Sequence, residues 1–264
     1  MSERSERTDG HSKEQRTIFG EVPDTYDRAR PGYPAAMVDD IVALTELPAD
    51  GRILEVGSGT GKATVLLAAT GREVLCVEPS EPMVEVARRR LTDAANVRVE
   101  TIGFEDWDPG ARRFQLLACA QAWHWIDPAV RFVKAAQVLA PDGWLALIWN
   151  RSEDGTGSLR QAMDEAYEVH APKLVAVPSQ QASTIDRATA DIEGSGLFGP
   201  VTLREYPASV TLPTERYIEL LTTHSNLRLL PPEQRERLLA AVAEAHGGSI
   251  AIECSTRLFL ARVI

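Results

Sequence analysis

Five short apolar runs, Arg52–Val56, Glu73–Val77, Asn96–Ile102, Phe114–Ala122 and Trp144–Asn150, follow one another with helical stretches in most of the gaps. Alternation of this kind demands βαβ crossovers, so the runs become parallel strands with helices on both faces of one sheet. Lys62–Ala69 reads as a helix closed by Gly71. In the next helix Pro82 stands where a first turn tolerates it, and Val84, Ala87 and Leu91 share a face. Asp127-Pro128 opens a further helix, with Phe132, Val133, Ala136 and Leu139 at helical spacing, and Pro141-Asp142-Gly143 turns into the fifth strand. Ahead of the alternation, residues 34–46 form a short helix with Met37, Ile41, Val42 and Leu44 on one side.

The alternation stops after Asn150. Residues 151–198 are polar and partly helical, Val201–Leu212 resumes strand character, and helices follow over 215–223 and 232–246. The chain closes on Ser249–Ile264, which alternates as a strand does. The expected fold is therefore α/β and doubly wound, with about seven mostly parallel strands. A helical insertion over 151–198, between strands five and six, forms a cap. Residues 1–17 are read as a disordered tail and 18–264 as one domain. Residues 18–34 are too apolar for a linker and too rich in proline for a regular element.

The chemistry starts at Gly57-Ser58-Gly59-Thr60-Gly61, between the first strand and its helix. Backbone N–H groups there point from a helix N-terminus toward the carboxyl edge of the sheet. The spacing is G-x-G-x-G. A dinucleotide fingerprint would need a small residue where Lys62 stands, and a phosphate-binding P-loop needs Gly-Lys-Ser/Thr further along. Glu55 precedes the loop by two residues; a carboxylate there repels a pyrophosphate and suits an ammonium or sulfonium group. Glu78 ends the second strand, 21 residues after Gly57, where a carboxylate accepts hydrogen bonds from ribose hydroxyls. Together these features imply a cationic nucleoside ligand.

The stretches ILEVGSGTGKAT and VEPSEPMVEVARRR resemble the cofactor-binding half of class I S-adenosylmethionine-dependent methyltransferases of the type 11-like kind. The resemblance covers about residues 19–150, and 200–264 only in topology. It implies a Rossmann-like methyltransferase fold and S-adenosyl-L-methionine as cofactor. Glu55, Gly57, Ser58, Gly59 and Gly61 would face its methionine moiety, Glu78 and Pro79 the ribose, and Met83 the adenine. Phe104 and Glu105 stand at the adenine-edge position, where the family commonly has Asp-Ala; loop charges of no such role are the alternative for Glu105.

Ala120-Gln121-Ala122-Trp123-His124-Trp125 follows the fourth strand and should line the crevice, Gln121 and Ala122 on the cofactor side. Indole faces attract cations and exclude water, which would put Trp123 and Trp125 beside the acceptor; the alternative is that they pack the next helix. His124 is the candidate general base for a hydroxyl acceptor, or else a hydrogen-bonded structural histidine. The segment Tyr26-Asp27-Arg28-Ala29-Arg30-Pro31-Gly32-Tyr33-Pro34 is similar to one that folds over the cofactor in the trans-aconitate and ubiquinone-biosynthesis branch. Arg30 would hold the methionyl carboxylate, with Tyr26 on the cofactor and Tyr33 at the acceptor's entrance. His224 either faces the acceptor or belongs to a helix end.

Composition narrows the partners. With 28 Lys+Arg against 38 Asp+Glu the formal net charge is −10, which argues against nucleic-acid backbones and anionic membranes. No apolar run approaches a membrane span, and the first residues lack a signal-peptide core, so a cytoplasmic location is expected. Cys76, Cys119 and Cys254 read as reduced, buried thiols, with no metal-ligand spacing. The expected function is methyl transfer by in-line displacement to an oxygen, nitrogen or carbon of a small molecule, with a homodimer compatible. A nicotinamide-dependent oxidoreductase and a non-catalytic cofactor-binding protein are the alternatives.

Overall fold

The computed structural model describes residues 18–154, 157–175, 180–246 and 248–264; the expected tail at 1–17 lies outside them. Seven strands form one sheet in the order β3-β2-β1-β4-β5-β7-β6. They are β1 (Ile53–Val56), β2 (Val74–Val77), β3 (Val97–Glu100), β4 (Phe114–Ala120), β5 (Leu139–Asp154), β6 (Thr202–Pro213) and β7 (Ser249–Arg262). The first five run parallel, and β7 lies antiparallel between β5 and β6. Leaving β1 the chain winds outward to β3, then returns to β4 on the opposite side of β1. That reversal opens a crevice beyond the carboxyl ends of β1 and β4.

The helices in chain order are α1 (Pro23–Ala29), α2 (Ala35–Leu44), α3 (Lys62–Ala68), α4 (Glu81–Arg90), α5 (Arg131–Val138), α6 (Gly157–His170), α7 (Pro172–Val175), α8 (Gln180–Gly194), α9 (Thr214–Thr222), α10 (Ser225–Arg228) and α11 (Pro232–His246). Side-chain alternation divides each strand between two layers. Leu54 and Val56 join Leu117, Trp149, Phe259, α5 and α8 on one face; Ile53, Ala118 and Ile148 join α2 and α3 on the other. A third apolar cluster gathers α6, α9, α10 and α11 around Ile250 and Ile252. It covers the ends of β5 and β7 that project beyond the parallel core. No helix among the described residues is long and apolar enough to cross a membrane.

Four local expectations are corrected. Residues 23–29 are helical, not irregular, because Pro23 sits in the first turn, where its missing N–H costs nothing. The helix after Asp127-Pro128 begins only at Arg131, since the Asp127 side chain and carbonyl hold a turn through Arg131 N–H. Its buried stripe is accordingly Arg131, Ala135 and Val138, and Val133 is half exposed. The fifth strand starts at Leu139, with Asp142 in a left-handed conformation (φ 66°) at the irregularity. Cys254 is only partly buried, while Cys76 and Cys119 are enclosed.

Candidate functional site

The glycine loop caps the crevice. Gly57 N–H donates to Val77 O at 2.8 Å, which bends the chain across the ends of β1 and β2. Gly57 has φ +71°, and a Cβ there would stand 2.3 Å from Ala122 Cβ. The loop and the end of β4 thus meet at a distance no side chain permits. Gly59, at φ +54°, has nothing within 4 Å of such a Cβ, so the space over the second glycine is open.

Glu78 closes the other wall. Its Oε2 accepts the Gly59 N–H at 2.9 Å and its Oε1 accepts the Ser80 N–H at 3.0 Å. Burial raises its pKa, and the two N–H groups only partly oppose that. The carboxylate is therefore fixed at the strand end, with lone pairs left for further donors. Pro79 lies beside Gly103, so the turns after β2 and β3 meet behind it. Met83 is buried on α4.

Glu55 does not line the loop. It shares the sheet face of Ile53 and Cys76, where Thr64 Oγ1 of α3 donates to its Oε2 at 2.6 Å and Cys76 Sγ lies at 3.5 Å. Burial raises its pKa to about 7, against the hydrogen bonds from Thr64 and Cys76. Thr64, which spacing gave no reason to notice, is its partner. Ser58 is buried, its hydroxyl without a nitrogen or oxygen partner and close to the Cys76 thiol. Gly61 caps α3 at φ +80°.

Phe104 is likewise turned inward, stacked on Trp107 at 6.5 Å with Lys134 Nζ 5.5 Å from its ring centre. Glu105 Oε1 accepts the Asp127 N–H at 3.2 Å, which pins its turn to the segment after β4.

The aromatic hexapeptide divides. Trp123 is core: it packs edge-on to Phe132 at 5.3 Å and under Arg131 at 5.9 Å. His124 is buried, and Trp149 Nε1 donates to its Nδ1 at 3.4 Å. Its Nδ1 is thereby directed at the core, as in the hydrogen-bonded structural histidine that is the alternative to a base. Removing it strands the indole N–H, so His124→Ala should lower stability by about 1–3 kcal/mol in urea denaturation. Trp125 is partly exposed, its ring 4.9 Å from that of His124. Gln121 holds a left-handed conformation (φ 60°), its Oε1 accepting from Gln181 Nε2 of α8 at 2.7 Å. Asn150, at the end of the β5 core, donates to Gly32 O at 3.0 Å and accepts from Thr256 at 2.7 Å. These amides tie the crest of the sheet to the N-terminal segment and to α8; nothing in their spacing announced it.

Above the crevice, Arg30 Nε donates to Thr223 Oγ1 at 2.8 Å and its Nη2 to Thr223 O at 3.1 Å, with the guanidinium 5.4 Å from the Tyr26 ring centre. Among the described residues no carboxylate pairs with it. Burial raises the pKa of both Tyr26 and Tyr33, and Arg30 opposes it at each. His224 caps α10 directly after Thr223, and burial together with Arg30 holds its pKa well below the usual value, leaving it neutral. The structure thus brings Tyr26, Arg30, Tyr33, Glu78 and the glycines together, with His224 at their margin.

A family profile described as "Methyltransferase domain" matches residues 53–143, the loop and the crevice strands. An uncharacterised methyltransferase of Mycobacterium tuberculosis is 38% identical over 146 residues, 54% of this chain and 56% of that one. The chain thus spans about half the length of this curated relative. An uncharacterised methyltransferase-like protein of Schizosaccharomyces pombe is 28% identical over 234 residues, 87% of this chain and 85% of its own. A solved protein of Anaeromyxobacter dehalogenans, assigned as a type II methyltransferase, shares the fold with TM-score 0.60 at 21% identity, covering 88% of this chain and 97% of that one. With its strand order, left-handed glycine loop and strand-end carboxylate, the chain carries a match to a methyltransferase domain over residues 53–143 and is similar in sequence and in fold to methyltransferases.

Proposed function

We propose that the protein transfers a methyl group from S-adenosylmethionine to a small organic acceptor. The observation that carries the reading is Glu78, buried, fixed by the Gly59 and Ser80 N–H groups, and facing the open space over the loop. A ribose diol donates to such a carboxylate, and Lys62 stands where a dinucleotide fingerprint needs a small residue. Lys62, which opens the helix after the loop, lies 4.0 Å from Asp27 and is drawn toward it. A nicotinamide dinucleotide therefore fits this site poorly.

When bound, the cofactor supplies a sulfonium methyl carbon open to attack by an acceptor lone pair in line with the departing sulfur. The chain's own residues bind and orient. The loop glycines leave room for the methionyl backbone, Glu78 with Pro79 holds the ribose, and Met83 and the turn at Phe104 and Glu105 border the adenine. Arg30 answers the methionyl carboxylate, for a part-buried guanidinium without an anion is costly. Tyr26 and Tyr33 keep water from the reacting centre, and holding donor and acceptor in line supplies much of the rate. The acceptor enters beside Tyr33, Trp125 and His224, under a cap formed by α6 to α8. The net charge of −10 supports a small molecule over nucleic acid.

Calorimetric titration with S-adenosylhomocysteine and with NAD tests this. The thioether nucleoside should bind and NAD should not; the reverse overturns the reading. Glu78→Ala should weaken the nucleoside about 10- to 100-fold, the loss of charge-assisted hydrogen bonds. Unchanged affinity would mean that the ribose is held elsewhere.

A further inference from the structure

Helix α1 buries none of its residues, yet it lies across the crevice. Charge holds it at both ends. Toward the glycine loop, Asp24 pairs with Arg89 and Asp27 with Arg90 on α4, while Lys62 Nζ at the start of α3 lies 4.0 Å from Asp27 Oδ1. Toward the C-terminal helices, Arg28 pairs with Glu219 of α9 at 2.7 Å, Glu21 pairs with Arg228 of α10, and Arg30 grips Thr223. The segment is a strap between two parts of the fold, secured by ion pairs instead of apolar burial.

Most of these pairs have a partner that is at least half exposed and contribute little. Asp27 differs. Its side chain is 21% exposed and that of Lys62 17%, so water screens their attraction less. Thr60 in the glycine loop is buried, its hydroxyl without a hydrogen-bond partner, and lies near the same carboxylate. Burial alone would raise the pKa of Asp27; Thr60 and Arg90 outweigh it and hold the acid below its usual range. One carboxylate therefore reaches the crown of the glycine loop, the helix that the loop opens, and the end of the helix behind Glu78.

We propose that Asp27 is a positioning residue for the cofactor site, a latch that fastens the strap to the glycine loop and makes cofactor affinity depend on ionic strength. Its neighbour Tyr26 lies against Arg30, with 5.4 Å from guanidinium to ring centre, so releasing Asp27 frees the two groups that roof the ligand. The inference rests on the adenosyl reading of the crevice, and its test separates the two.

The full chain and its Asp27→Asn, Asp27→Glu and Arg90→Gln variants are titrated with S-adenosylhomocysteine at about 50 mM and about 500 mM NaCl, a range that shortens the screening length severalfold. Backbone hydrogen exchange over residues 23–30 is followed without ligand. Salt should weaken wild-type binding by about fivefold or more, as screened ion pairs do. Asp27→Asn should bind about tenfold more weakly at low salt, with a flattened salt response, since one shared carboxylate is lost. Arg90→Gln should fall between the two. Asp27→Glu should restore most of the affinity, all four melting temperatures should agree within about 3 °C, and exchange should quicken in Asp27→Asn. Wild-type affinity and salt response in Asp27→Asn would overturn the proposal, as would a loss of affinity that merely follows a fall in melting temperature. No binding of the nucleoside to wild type at either salt would overturn the adenosyl reading instead. Exchange in the strap then decides the latch by itself, and rates unchanged by Asp27→Asn reject it.

Discussion

Gly59→Arg should abolish binding of S-adenosylhomocysteine while the protein stays folded. The two halves of that result have separate causes. A side chain at residue 59 meets no protein atom within 4 Å of its Cβ, so packing survives. The φ of +54° costs a non-glycine residue about 1–2 kcal/mol, which a domain of this size can absorb. The same open space is the one the ligand must enter, and an arginine there fills it and can pair with Glu78, whose carboxylate already accepts the residue 59 N–H. Gly57→Ala provides the contrast. Its Cβ would collide with Ala122 Cβ at 2.3 Å, so that variant should lose stability, with binding failing as a consequence. Calorimetry for binding and a thermal melt for folding distinguish the two. Retained affinity in Gly59→Arg would remove the loop from the site.

Glu55→Gln should stabilise the protein at pH 8.5 and do little at pH 5. The carboxyl of Glu55 has a pKa of about 7 in the fold against an ordinary 4.5, so the folded state binds its proton more tightly than the unfolded state does. A raised acid pKa means that stability falls as pH climbs from the unfolded value through the folded one. Across that window the cost of ionising Glu55 reaches about 3 kcal/mol by the linkage relation. A glutamine keeps the acceptor for the Thr64 hydroxyl and carries no charge, so it escapes the cost. Urea midpoints at the two pH values measure the difference. An effect equal at both, or a loss at pH 8.5, would show that Glu55 is ionised and satisfied in the fold. Glu55 near neutral pH is then a buried strut beneath the loop, held by Thr64.

Much of this architecture was written locally. Apolar runs with helical stretches between them specify parallel strands whatever else the chain does, and Gly57, Gly59 and Gly61 announce left-handed backbone because side chains would forbid it. Glu78 follows from the same logic, since the end of the second strand has one place to be. Pattern misled where two neighbours compete for one burial direction. Val133 and Arg131 lie two positions apart on α5, and the turn at Asp127 decides which faces inward. In the hexapeptide, Trp123 and His124 both turned toward Trp149 and Phe132, partners supplied by other elements.

By itself, then, the sequence determined the sheet, the loop and the strand-end carboxylate, because these depend on backbone conformation and on periodicity within a few residues. The tertiary structure decided which face Glu55 takes, that Arg30 meets Thr223 across 193 residues, and that Asp27 reaches Lys62 and Arg90. Such contacts join side chains far apart in the chain. Their energy comes from burial and charge pairing that exist only once the elements have packed.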